Sequence, residues 1–297
     1  MTPILDGFEV EDVDANGIRI HVAHAGEGPP VLLLHGYPQT HVMWHKVAPR
    51  LAERYTVVCP DLRGYGDSDE PPGGDDHAGY SKRTMAQDQL AVMQAQGFER
   101  FAVVAHDRGA RVGLRLALDH PSAVTRLAVL DIVPTSVIYG TIDDARARTV
   151  WRYFFLTQPF DLPERLIGAD PDHYLRWTLD EWCSTPGALT DDAVAEYRRC
   201  FDAATIHATC EDYRAGATID LVHDGVDAGE QLRCPVLAVW SASGLGGQYD
   251  VEAIWRQRAP DFRGRPLDCG HFVAEERPDE TVDELLAFLG QSSQRTE

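Results

Sequence analysis

FAVVAHDRGAR, residues Phe101–Arg111, decides how this chain folds. Phe101–Ala105 is apolar without interruption, the pattern of a strand buried on both faces. Arg111–Asp119 then takes up a helical period. Only His106-Asp107-Arg108-Gly109 separates the two, too little for a loop. The chain must turn sharply from strand to helix, and the side chain at the apex, Asp107, is lifted above the end of the sheet. Gly109 supplies the residue without a side chain that such a crowded turn needs, and Ala105 is the small residue two positions before the apex. Taken alone, Asp107 would pass as a helix cap; the motifs that accompany it make it a nucleophile.

Working outward, Val31–Leu34, Tyr55–Cys59 and Leu127–Leu130 read as further buried strands, with helical segments between them. A fifth, Pro235–Trp240, comes after a long gap. Strands alternating with helices imply a mostly parallel sheet flanked by helices, an α/β fold. Between the fourth and fifth strands the alternation lapses. Ala145–Leu156, Pro171–Cys183 and Asp191–Ala203 all have helical periodicity. The expected organisation is a core domain of residues 1–133 and 232–297, with residues 134–231 inserted as a helical cap domain. Such a cap would close the crevice at the carboxyl ends of the strands, where open α/β sheets bind ligands.

The 297 residues are 44% hydrophobic, ordinary for a globular protein, and carry a net charge of −20. That field repels nucleic acid and anionic membranes, so neither is an expected partner. The acidic N-terminal stretch lacks a basic segment leading into an apolar one, and no apolar run is long enough to span a bilayer. A cytoplasmic location follows as the expectation. The six cysteines are irregularly spaced with no CxxC pair, which fits buried free thiols in a reducing compartment. No metal-ligand spacing or phosphate-binding glycine loop is visible, so no metal and no cofactor is expected.

Two more motifs complete the chemistry. Leu34-His35-Gly36-Tyr37-Pro38 directly follows a strand. A loop there can aim the Tyr37 N–H at an oxyanion, with the N–H of Arg108 as the second donor. His35 braces this loop. Cys269-Gly270-His271-Phe272 precedes the final helix, and His271 stands where a general base comes last in the chain order. Twelve histidines are present, so position alone distinguishes it, together with the following Glu275-Glu276-Arg277-Pro278. The acid that orients it is assigned to Asp131, which directly ends the strand Leu127–Leu130; the strand Pro235–Trp240 has no acid after it until Asp250. An aspartate nucleophile shifts the chemistry away from acyl transfer. Attack on an ester carbonyl would give a reactive anhydride, whereas attack on a saturated carbon gives an ordinary ester that water can cleave.

With these residues assembled, the chain resembles the haloacetate (fluoroacetate) dehalogenases of the α/β-hydrolase superfamily. The resemblance runs from about Gly17 to Leu289. It is carried by HGYPQTH at His35–His41, DLRGYGDSD at Asp61–Asp69, HDRGAR at His106–Arg111, LAVLDI at Leu127–Ile132, CEDYRAG at Cys210–Gly216 and GHF at Gly270–Phe272. HDRGAR is the sharpest, because epoxide hydrolases and haloalkane dehalogenases usually carry Trp where Arg108 stands. The resemblance implies hydrolysis of a carbon–halogen bond in a short haloacid through a covalent aspartyl ester on Asp107. Arg108 and Arg111 would clamp the substrate carboxylate. The family holds the departing halide with a His-Trp pair and a Tyr. The Tyr matches Tyr213; the pair aligns with Arg152-Tyr153, which differ, and Trp182 matches a cap tryptophan that walls the pocket. This departure bears on fluoride above all, the smallest halide with the strongest bond. The family also implies a homodimer.

Two other readings compete. An epoxide hydrolase would use the same Asp107, His271 and Asp131, with Tyr213 and Tyr153 protonating the epoxide oxygen; Arg108 and Arg152 stand against it. A ligand-binding protein on the same scaffold would commonly have lost a member of the triad, and here all three are present.

Overall fold

The computed structural model describes residues 4–291. Eight strands form one sheet: β1 (Glu9–Ala15), β2 (Ile18–Ala25), β3 (Pro30–Leu34), β4 (Thr56–Pro60), β5 (Phe101–His106), β6 (Val124–Leu130), β7 (Val236–Ser241) and β8 (Phe262–Leu267). Their order is β1-β2-β4-β3-β5-β6-β7-β8. β1, β2 and β4 pair antiparallel, and every pairing from β4 to β8 is parallel. Every residue of β5 is buried, as its unbroken apolar run requires. β3 and β5 are neighbours while β4 lies on the far side of β3, so the chain reverses direction across the sheet at this pair. The loops leaving β3 and β5 therefore part from one another and open a crevice at their carboxyl ends.

The five strands expected from apolar runs are all present, each within a few residues of its expected bounds. β1, β2 and β8 add to them. β1 and β8 are the edges, and their exposed, charged sequences EVEDVDA and FRGRPL carry no apolar run to betray them. Between β6 and β7 the chain is wholly helical, with eight helices from Thr135 to Val226. The expected helix Ala145–Leu156 is two short ones, Asp144–Thr149 and Trp151–Phe155. Asp191–Ala203 ends earlier, at Arg199, because Asp202 caps the next helix, Ala203–Ala217, by accepting from the N–H groups of Ala204 and Thr205. That helix carries Tyr213. Among the described residues no helix is long and apolar enough to cross a membrane, and the six cysteines are free.

Candidate active site

Asp107 opens the helix Asp107–Asp119 directly from the end of β5, with a left-handed backbone, φ 44°. A non-glycine residue held there is strained, and the neighbours that enforce it are tightly packed. A Cβ on Gly36 would lie 2.5 Å from the Asp107 Cβ, and one on Gly109 would lie 2.2 Å from the His35 carbonyl oxygen. Both glycines are thus required by close approach of the β3 loop to the elbow. That approach lets the Tyr37 N–H donate to Asp107 Oδ1 at 3.0 Å. The Arg108 N–H lies in the first helical turn, where backbone donors have no intrahelical acceptor.

His271 and Asp131 complete the constellation expected from sequence. His271 Nδ1 donates to Asp131 Oδ2 at 2.6 Å, and its Nε2 lies 3.7 Å from Asp107 Oδ2. The Ser241 N–H holds the other oxygen of Asp131 at 2.8 Å. With Nδ1 committed as donor, Nε2 is the nitrogen that takes or gives the proton, and it faces Asp107. Burial opposes charging of His271, but its hydrogen bond to Asp131 and the nearby Asp131 and Asp107 carboxylates outweigh it and raise the imidazole above its ordinary value. Burial likewise opposes ionisation of Asp107, yet His271, His106, Arg108 and Arg111 bring its carboxyl below the ordinary range. His106, directly before Asp107, is pushed down to about 3 by burial and then by its neighbour His271. It is a neutral ring that donates from Nε2 to the His271 carbonyl. His35 braces the β3 loop as expected, its Nδ1 donating to the Gly36 carbonyl and its Nε2 accepting from the Leu62 N–H.

The pair of arginines expected to clamp a carboxylate is split. Arg111 faces a cavity of about 440 Å³ that Asp107, His271 and Asp131 also line. Its Nη1 donates to Thr135 Oγ1 at 2.7 Å and its Nη2 to the Tyr153 hydroxyl at 2.8 Å. Arg108 does not line that cavity. Its Nε and Nη2 are spent on the carboxylate of Asp212, each at 2.8 Å, and its guanidinium stacks 4.2 Å from the centre of the Tyr213 ring. Lys82 and the Tyr65 hydroxyl share the same carboxylate. The structure places the two arginines differently: a buried bidentate ion pair with Asp212 fixes the Arg108 side chain, while Arg111 faces the cavity. Asp212 is one of the two acids of the motif CEDYRAG, next to Tyr213.

The residues expected around the leaving group also line the cavity: Tyr213, Tyr153, Trp182 and Arg152. The Tyr153 and Tyr213 rings meet edge to face at 5.4 Å, and Trp182 lies 5.0 Å from His271. Arg152 is held by its own contacts, with its buried Nε left without a hydrogen-bond partner among the described residues. Its Nη2 donates to Glu181 at 2.6 Å, and Trp151, Trp177 and Trp182 enclose the guanidinium at 4.8, 4.7 and 4.6 Å.

Glu276, noted in the sequence only as part of the stretch after His271, has a role that the sequence did not reveal. One of its carboxylate oxygens accepts from the Gly270 N–H and from both the N–H and hydroxyl of Ser184; the other accepts from the Phe272 N–H. The His271 N–H in turn donates to the Trp182 carbonyl at 2.8 Å. The loop that bears His271 is thereby stapled to the helical insertion.

A model of the α/β hydrolase fold matches residues 29–278. A fluoroacetate dehalogenase from a Burkholderia species is 46% identical, over 96% of this chain and 95% of its own. A soluble epoxide hydrolase from Corynebacterium sp. strain C12 is 36% identical, over 92% of this chain and 94% of its own. The solved structure of an α/β hydrolase from Nostoc sp. PCC 7120 superposes with a TM-score of 0.96 at 54% identity, covering 97% of this chain and 100% of that one. An aspartate elbow on a hydrolase sheet, matched along nearly its whole length by a dehalogenase, makes this chain a hydrolase belonging to the haloacetate dehalogenase family of the α/β-hydrolase superfamily.

Proposed function

We propose that the chain hydrolyses the carbon–halogen bond of short haloacids, with the helical insertion acting as a cap over the reacting centre. The observation that carries this is Arg111, a guanidinium facing the same cavity as Asp107. A carboxylate needs such a partner and an uncharged epoxide does not. Arg111 binds the acid, with Arg108 contributing its charge from behind. Asp107 Oδ2 attacks the α-carbon, the carbon–halogen bond breaks, and the halide leaves with the electron pair toward Tyr213, Tyr153, Trp182 and Arg152. In the second step His271, oriented by Asp131, takes a proton from water. The resulting hydroxide attacks the Asp107 carboxyl carbon, and the N–H groups of Tyr37 and Arg108 hold the oxyanion. Collapse expels the hydroxy acid's alkoxide, which takes the proton from His271, and the Asp107 carboxyl then loses the proton of the attacking hydroxyl to solvent, which restores the carboxylate. The balance is haloacid plus water to hydroxy acid, halide and a proton.

Epoxide hydrolysis is the second reading, favoured by the adjacent hydroxyl-bearing rings of Tyr153 and Tyr213 on the cavity wall. Purified protein with fluoroacetate, chloroacetate and 2-chloropropionate, and separately with styrene oxide, decides between them. Halide release that Asp107→Asn reduces by at least a thousandfold is the expected result. Diol without halide would replace the dehalogenase reading by the epoxide one.

A further inference from the structure

The cavity above Asp107 is much larger than a haloacetate. Its volume is about 440 Å³, within the ~300–1,000 Å³ range of pockets that enclose drug-sized ligands. A haloacetate has only a handful of non-hydrogen atoms; at about the ~30 Å³ that a water occupies for each, it would fill roughly a third of this space. The cavity has polar lining from Thr149, Ser184, Ser243 and Gln248, but more of its wall is apolar. Its walls include Ile132, Val133, Ile138, Val150, Leu245 and Tyr249. Four of these, Ile132, Val133, Ile138 and Tyr249, are themselves buried, at 3%, 0%, 3% and 7% exposure, so this wall is closely packed and held in place from behind.

Topology fixes where this lobe lies. Ile132 and Val133 directly follow Asp131 at the end of β6, and Leu245 and Tyr249 follow the end of β7. The sheet order β3-β5-β6-β7 puts the lobe on the β6 and β7 side of Asp107, away from Tyr37 at the end of β3, against which Tyr213 packs at 5.5 Å. Arg111 is tied to the lobe side through Thr135, the first residue of the helix that carries Ile138. An acid bound at Arg111, with its halide toward Tyr213, therefore has the third substituent of its α-carbon beside Ile138.

From this we infer that the site is built for 2-haloacids whose α-substituent is a bulky apolar group, a branched alkyl or an aryl ring, rather than for haloacetate itself; the inference rests on the dehalogenase reading above. Leaving the lobe empty would forfeit the transfer of that substituent from water, which haloacetate cannot supply.

Halide release is measured with chloroacetate and with racemic 2-chloro-2-phenylacetate, in the wild type and in Ile138→Trp, whose indole fills the lobe. Val150→Trp fills the same space from the insertion and gives an independent reading if the first variant does not fold. The expected wild-type kcat/KM is roughly 10- to 100-fold higher for the phenyl acid than for chloroacetate, the scale set by burying one ring. The ratio between the two substrates, which cancels general damage to the enzyme, is expected to fall at least tenfold in either variant. Chloroacetate turned over as well as or better than the phenyl acid, or a ratio unmoved by both tryptophans, would overturn the lobe while leaving the dehalogenase intact. No halide from either acid would remove both readings together.

Discussion

Asp107 and Asp131 share a feature that neither helix propensity nor strand propensity selects: both have left-handed backbones, φ 44° and 50°. Each follows a buried parallel strand, and each carboxylate is held by a backbone N–H of a neighbouring segment, Tyr37 and Ser241. Strain of this kind persists only where the surroundings over-determine it, which is why it marks a working site. Between them His271 gains proton affinity, from the Asp131 hydrogen bond and from both negative charges. In the proposed covalent intermediate Asp107 is a neutral ester, so one of those charges is gone. His271 should then release its proton more readily at the step where it must be a base. An NMR titration of the free enzyme is expected to give His271 a midpoint above its ordinary 6.5. The acid limb of single-turnover ester hydrolysis is expected below that midpoint, and a limb at or above it would contradict the role of Asp107 in charging His271. At Arg111 the test is simpler. Arg111→Leu leaves a substrate carboxylate unpaired in a closed site, so kcat/KM for chloroacetate should drop roughly a hundredfold or more; a loss under tenfold would mean that the carboxylate is held elsewhere.

At the scale of elements, what the sequence makes legible follows from how the signal arises. β5 and its elbow are readable because a buried central strand must be apolar throughout and the turn leaves no spare residues. The edge strand β8 is not, since FRGRPL is half-exposed and contains a Gly and a Pro that argue against a central strand. His271 and Asp131 were legible by position, but the partner of Arg108 was not, because Asp212 is distant in sequence and only packing of the helix Ala203–Ala217 on the elbow brings the two together. Glu276 belongs to the same class. Its four acceptor contacts join the base loop to Ser184 in the insertion, and no local pattern announces a staple between segments so far apart. Glu276→Gln replaces one acceptor oxygen by a donor facing N–H groups that also donate. The His271 loop should loosen, and hydrolysis of the ester, which needs His271, should slow more than halide displacement, which does not. A rapid burst of halide, one per active site, followed by turnover roughly ten- to a hundredfold slower is the expected quench-flow result. Equal slowing of burst and steady state would reduce Glu276 to a general structural role.

For the whole molecule, electrostatics works against its overall sign. The chain carries a net charge of −20, yet Arg108, Arg111 and Arg152 are all buried around the reacting centre. Arg108 and Arg152 are paired with Asp212 and Glu181, so the anionic substrate of the proposed reaction would be met by Arg111, whose side chain donates to the hydroxyls of Thr135 and Tyr153. The junction between sheet and insertion has a second buried charge problem in Glu275. Its carboxylate accepts from Gln39, two residues beyond Tyr37, and from Tyr197 of the insertion helix Asp191–Arg199. Burial pushes its carboxyl up to about 8, and the bonds from Tyr197 and Gln39 offset this only in part. The folded state therefore holds the proton more tightly than the unfolded chain, whose ordinary value is 4.5. Below that ordinary value Glu275 is protonated in both states and imposes no ionisation cost. As pH rises from there toward 8 the unfolded chain loses its proton first, and stability falls; above 8 the loss is complete, on the order of a few kcal/mol. Glu275→Gln keeps a neutral side chain of the same shape at every pH. Urea unfolding of both proteins at pH 5 and pH 8.5 isolates this one group from all other titrations. The variant should gain on the wild type by a few kcal/mol between the two pH values. A difference that does not change with pH would mean that Glu275 is already ionised in the folded protein, and that its contacts with Gln39 and Tyr197 hold a charge, not a proton, at the seam between sheet and insertion.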